Sequence, residues 1–148
     1  MTGEDYVSFE TAKLLKEKGF DEKCHAFYRK TLLNGKIIDK AELHISTHLS
    51  LINSNLQDKL YKEIVYCAAP TLQMAMKWLR EVYNIHINID IHWLYFANQN
   101  GWMYIITKIL ENGTDYVEAK GDEDDKYFYS TYEEACEAAI KYCLEELI

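Results

Sequence analysis

The chain has 148 residues, 49% hydrophobic and 14% aromatic, and a formal net charge of −8. This apolar supply excludes a disordered chain and suffices for one domain, residues 1–148, with a core that needs no disulfide staples. No apolar run approaches the ~20 residues that cross a bilayer, and 24 acidic against 16 basic side chains disfavour a general binder of phosphate backbones.

The charge is uneven. Residues 111–148 hold 12 acidic and three basic side chains, against 12 and 13 in residues 1–110. Such a balance suits solubility, or an acidic face that meets a basic partner. Residues 1–10 carry Glu4 and Asp5 and no apolar stretch, so no secretory signal is expected there. Cys24, Cys67, Cys136 and Cys143 are widely spread and form no metal pattern, which predicts free thiols in a reducing, cytoplasmic setting.

The first element is a helix over residues 9–18. Ser8 is a fitting N-cap, Phe9, Ala12 and Leu15 share a face, and Gly19 stands where a left-handed C-terminal residue belongs, with Phe20 closing the contact. Residues 24–33 and 36–38 are β-capable runs around Asn34-Gly35, a pair that predicts a hairpin because both turn residues tolerate positive φ. Over residues 40–66, Ile45, Leu49, Ile52, Leu56, Leu60 and Ile64 recur at helical spacing. The poor helix formers among them predict a helix broken near residues 53–55.

Residues 72–83 form the clearest helix, opened by Pro70 and Thr71, with Leu72, Ala75, Met76, Leu79, Val82 and Tyr83 inward and Trp78 at the margin. From Ile85 to Tyr95, apolar residues alternate with His86, Asn88, Asp90 and His92, the pattern of a half-buried strand. Asn98 to Gly101 turn the chain into a second β-rich run, residues 102–110. Asn112-Gly113 marks another turn, residues 116–119 a short third strand, and residues 121–126 a solvated acidic loop. Tyr127 to Tyr129 rejoin the sheet. Ser130 and Thr131 cap a last helix, with Glu133 and Glu134 as reciprocal partners and Tyr132, Ala135, Cys136, Ala139, Cys143 and Leu147 inward.

No segment carries a catalytic, metal or phosphate-binding signature, and no cofactor is implied. His44 and His48 are four apart, as two imidazoles on one helical face would be, but no third ligand accompanies them. Asp122, Asp124 and Glu133 imitate positions of a calcium loop, yet Lys126 and Tyr127 stand where an oxygen ligand and a glycine are needed. Cys67 precedes a helix start that could activate a thiol, though its apolar neighbours point to a buried, inert cysteine. His86, Asp90 and His92 lie on one side of their strand. They could serve a small metal-assisted hydrolase, or form the wet side of an antiparallel sheet.

Helix, strand, strand, strand, helix over residues 71–147 resembles the element order of a double-stranded-RNA-binding domain. Glu133, Glu134, Glu137 and Glu145 stand where that family presents lysines, so RNA binding does not carry over. Residues 7–15, Val-Ser-Phe-Glu-Thr-Ala-Lys-Leu-Leu, resemble the first helix of winged-helix excisionases, without the arginine-rich helix that should follow. As a set, residues 6–20, 69–82 and 132–144 resemble short uncharacterised proteins of gut Bacteroidetes genomes, prophages and mobile elements. That resemblance implies a source and a compartment but no activity.

The expected architecture is α+β: an antiparallel sheet of hairpins packed on one face by capped amphipathic helices. The expected role is a non-enzymatic interaction or accessory protein. Its acidic surface, Asp122, Glu123, Asp124, Asp125, Glu133, Glu134, Glu137 and Glu145, would meet a basic protein partner.

Overall fold

The computed structural model describes residues 5–33, 36–37, 41–45, 64–120 and 128–148. Contacts fall into two compact units, Met1–Thr71 and Leu72–Ile148, each built from helix and antiparallel strand. The fold is α+β, with three α-helices and two small sheets among the described residues.

In the first unit, helix α1 spans Phe9–Glu17 and starts as its sequence dictates. The Ser8 side chain accepts a hydrogen bond from the Thr11 amide at 3.2 Å, satisfying one of the orphan donors of the first turn. At the other end the Phe20 amide reaches back to the Leu15 carbonyl at 2.9 Å and the Gly19 amide to Lys16 at 3.1 Å, while Gly19 holds φ +91°. This is the Schellman ending, and it carries Phe20 into the core.

Strand β1 (Ala26–Leu33) is central to the first sheet. It pairs antiparallel with β2 (Lys36–Ile37), with β3 (Glu42–Ile45) and with β4 (Ile64–Ala68). Leu33 faces Lys36 across the expected hairpin; Asn34 and Gly35 lie outside the described residues. Residues 42–45 and 64–68 correct the expectation of a broken helix over 40–66. Their backbone groups are taken up by the β1 ladder, and pairing of that kind overrides a helical spacing of apolar residues. The proposed break at residues 53–55 lies outside the described residues. Helix α1 packs on β4, enclosing Ala12, Leu15, Ala26, Cys67 and Ala68. The Tyr28 hydroxyl donates to the Val7 carbonyl at 2.7 Å, tying the chain before the helix to the sheet.

The second unit runs α2 (Leu72–Tyr83), β5 (Ile85–Leu94), β6 (Gln99–Leu110), β7 (Gly113–Lys120) and α3 (Tyr132–Tyr142), followed by a π-helical turn over Cys143–Leu147. A single residue, Asn84 at φ +57°, converts α2 into β5. The sheet order is β5-β6-β7, all antiparallel. Tyr129 continues the third position by exchanging two hydrogen bonds with Trp102, at 2.9 and 2.8 Å. Both helices pack on the sheet. The core joins Leu72, Ala75, Met76, Trp78 and Leu79 with Ile85, Ile87, Tyr104 and Ile106, and with Ala135, Cys136, Ala139 and Ile140.

Four local expectations shift here. Trp78 is buried and Val82 is exposed, so the inward stripe of α2 is rotated relative to the reading above. At the end of α3 the wider π turn places Leu144 in the core, where α-helical spacing favours Leu147. The turn after β5 uses Tyr95 to Asn98 rather than residues 98–101: Leu94 pairs with Gln99, and Asn98 takes the left-handed φ of +50°. Strand β7 is longer than residues 116–119, because the Glu111-Asn112 turn leads straight into pairing at Gly113.

Candidate functional site

Strand β5 positions the polar row and the apolar side opposite it. Its register with β6 puts Ile85, Ile87, Ile89, Ile91 and Trp93 on one side of the sheet, opposite Lys108, Ile106, Tyr104, Trp102 and Asn100. His86, Asn88, Asp90, His92 and Leu94 take the other side.

The polar row is real but extended. Neighbours two apart on a strand stand about 6.6 Å from each other, and His86 is about 20 Å from His92. The Asn88 amide donates to Asp90 Oδ1 at 2.8 Å, and the His92 ring lies 5.5 Å from the Phe128 ring. His86 and His92 are therefore not brought together on one ion, and no group of three potential metal ligands occurs among the described residues. Nor is this side of the sheet uniformly wet. Leu94 and Met103 share it and are buried, and Phe128 sits over Gly101.

The apolar side behaves differently along its length. Exposure rises from 3% at Ile85 and 8% at Ile87 to 52% at Ile91 and 47% at Trp93, then to 88% at Tyr95 and 65% at Phe96 in the turn. The expectation that Ile91, Trp93 and Tyr95 are inward is thus corrected. The helices cover the first half of β5, and the outer end of the β5–β6 hairpin projects past them. The Trp93 and Tyr95 rings meet edge to face at 6.5 Å, so the exposed aromatics form one patch rather than scattered residues.

A groove of about 440 Å³ runs between α2 and β5, lined by Gln73, Met76, Lys77, Arg80, His86, Ile87, Asn88, Ile89 and Tyr132. No carboxylate lines it. The Gln73 amide donates to the Tyr132 hydroxyl at 2.8 Å, closing one end. Lys77 lies 3.8 Å from Glu81, while Arg80 has no carboxylate partner among the described residues.

The acidic residues of α3 are partly engaged within the fold. Glu134 accepts from the Ser130 amide at 3.2 Å while Thr131 accepts from the Glu134 amide at 3.1 Å, an arrangement like a capping box with the glutamate reaching one residue before the N-cap. Glu145 pairs with Lys141 at 4.0 Å. Glu133 and Glu145 are exposed and Glu137 half-buried; Asp122, Glu123, Asp124 and Asp125 lie outside the described residues.

All four cysteines are buried thiols that form no disulfide with one another. Burial, reinforced by Glu22, pushes the Cys24 thiol up to about 12. Burial raises Cys67 despite the opposing charge of Lys16, and pushes Cys143 up to about 12. These are protonated, inert thiols, as the apolar surroundings of Cys67 imply. His44 lies on β3 and stacks on Phe27 at 5.3 Å, which removes the helical face it was expected to share with His48. His48 is outside the described residues. The His44 Nε2 atom stands 3.7 Å from a Glu42 carboxylate oxygen.

No protein-family model matches the chain, and neither the curated proteins nor the solved structures give a match. No helix of the described residues is long and apolar enough to cross a membrane.

The groove and the exposed hairpin end escape a reading of the sequence. Alternation along β5 shows which residues share a side, but not where the covering helices stop. One signal was available: residues 93–96, Trp-Leu-Tyr-Phe, set four large apolar side chains against a turn, more than a hairpin end can bury.

Proposed function

We propose that this chain is a non-enzymatic protein-interaction module that docks through the outer end of its β5–β6 hairpin. The observation carrying this reading is the cluster of exposed residues at the hairpin end, Ile91, Trp93, Tyr95 and Phe96, four large apolar side chains between 47% and 88% accessible, of which Trp93 and Tyr95 touch. Contiguous apolar patches of this kind mark interaction surfaces, and tyrosine and tryptophan are enriched in their energetic centres. The extended spacing of the row, about 20 Å between His86 and His92, favours the same choice over a metal-assisted hydrolase using these residues. The α3 carboxylates carry less of the reading, because Glu134 serves the helix cap and Glu145 pairs with Lys141. Their field remains suited to steering a basic surface of the partner.

The test is a capture experiment with tagged protein in lysate of a gut Bacteroidetes strain, read by quantitative mass spectrometry. A stoichiometric partner should be retained by the native chain and fall at least tenfold with the double substitution Trp93→Ser, Phe96→Ser. Both positions are exposed, so the variant keeps its fold, as circular dichroism checks. A partner captured equally by both proteins sinks the assignment to this patch.

A further inference from the structure

The free edge of β5 has a hydrogen-bonding polarity that can be deduced. The Ile109 amide donates to the Asn84 carbonyl at 2.7 Å, one residue before the Ile85–Lys108 pair. In an antiparallel ladder, bonded and non-bonded pairs alternate. Asn84, His86, Asn88, Asp90 and His92 thus direct their backbone groups into β6. Ile85, Ile87, Ile89, Ile91 and Trp93 direct theirs outward. Trp102 gives an independent check. It stands opposite Ile91 and exchanges both its backbone bonds with Tyr129, on the far side of β6. Ile91 must therefore face away from β6.

Among the described residues strand β5 ends the sheet on this side, so a row of amides and carbonyls opens toward the groove that Ile87 and Ile89 line. An open edge is a template for another strand. The charge around it selects which strand. Residues 72–148 hold 14 carboxylates against six basic side chains, yet two of those six, Lys77 and Arg80, line this groove and no carboxylate does; Lys77 stands 3.8 Å from Glu81, so Arg80 is the principal cation it offers. The groove is a cationic island on an acidic unit.

Resting on the interaction reading above, we infer that the β5 edge binds an extended acidic peptide segment of the partner as an added strand. Its backbone pairs with Ile87, Ile89 and Ile91, and its carboxylates meet Arg80 and Lys77. Backbone pairing supplies affinity in such β-augmentation, and side-chain pockets supply choice. Electrostatics disfavour a second copy of this chain: antiparallel pairing of β5 with itself would bring two acidic units together and set each cationic groove against the other.

The test uses the full chain and a fluorescein-labelled, N-acetylated peptide of alternating glutamate and valine, with the lysine–valine peptide as control. Fluorescence anisotropy should show the glutamate peptide binding at least tenfold more tightly. Arg80→Glu should weaken it by a similar factor. Ile91→Pro removes an outward amide at an edge position where proline is tolerated, and it too should weaken binding. Amide exchange should slow at Ile87, Ile89 and Ile91 on addition of the peptide. Equal binding of the two peptides, or no response to Arg80→Glu, overturns the inference, and the exposed arginine variant keeps the test valid should the proline variant misfold. A dimer in light scattering that Ile91→Pro disperses also overturns it, by giving the edge to a second copy. If the peptide fails while lysate capture still depends on Trp93 and Phe96, the added strand is wrong and the interaction module stands.

Discussion

Gly101 shows how one residue fixes the polar side of the second sheet. A Cβ built there would lie 2.6 Å from Leu94 Cδ1 and 2.8 Å from Phe128 Cβ. The leucine tip can rotate away. The Phe128 Cβ is bound to a backbone whose next residue, Tyr129, is held to Trp102 by two hydrogen bonds, so it cannot move alone. In an unencumbered strand, alanine in place of glycine stabilises by roughly 0.5–1 kcal/mol. Here overpacking should reverse the sign, and Gly101→Ala should destabilise by about 1–3 kcal/mol. Urea unfolding followed by tryptophan fluorescence measures this; a variant as stable as the native chain would mean that residues 128–130 are not pinned over the sheet. Gly19 differs in kind. Its constraint is a φ of +91° with open space around it, so its cost on substitution comes from backbone conformation rather than contact.

Helix ends offer the same contrast between local and distant causes. Thr131 and Glu134 satisfy two backbone donors at the start of α3, and Thr131→Ala should cost about 1 kcal/mol. The check is a chemical-denaturation midpoint compared with that of Thr131→Ser, which restores the acceptor and should recover most of the loss. These caps, and the Ser8 and Gly19 ends of α1, are legible in the sequence because a cap involves residues only three to five apart. The strands β3 and β4 are not. Ile45 and Ile64 fit a helical repeat, and only pairing with Ala26 to Thr31 of β1 decides against it. The α2–β5–β6–β7–α3 order is readable because each segment has a clean period and a turn between. The candidate site is readable only in part. Alternation identifies His86, Asp90 and His92 as one row, but the exposure of Ile91 and Trp93 depends on where α2 and α3 stop, and the open edge on a hydrogen-bond parity that no side chain encodes.

At the scale of the whole molecule, acidic surface and protonated interior set the response to pH. Burial pushes Cys24 and Cys143 from 9.0 up to about 12, one in each unit, and raises Tyr104 and Tyr129 in the same direction. For each group the folded value exceeds the unfolded one. Above pH 9 the unfolded chain sheds thiol protons that the folded chain retains, so stability is complete below about pH 9 and falls as pH rises toward 12. Cys143 alone should contribute on the order of 2 kcal/mol of loss between pH 9 and 11. Trp78, Trp93 and Trp102 all belong to residues 72–148, so tryptophan fluorescence reports the unfolding of the unit that holds Cys143. Urea midpoints read this way should decline steeply from pH 8.5 to 11. The readout is the slope against pH, because Cys143→Ala also removes volume and lowers the midpoint everywhere. The variant should flatten the decline. A slope identical in the native chain and in Cys143→Ala would place the alkaline sensitivity on the tyrosines around Tyr104 instead.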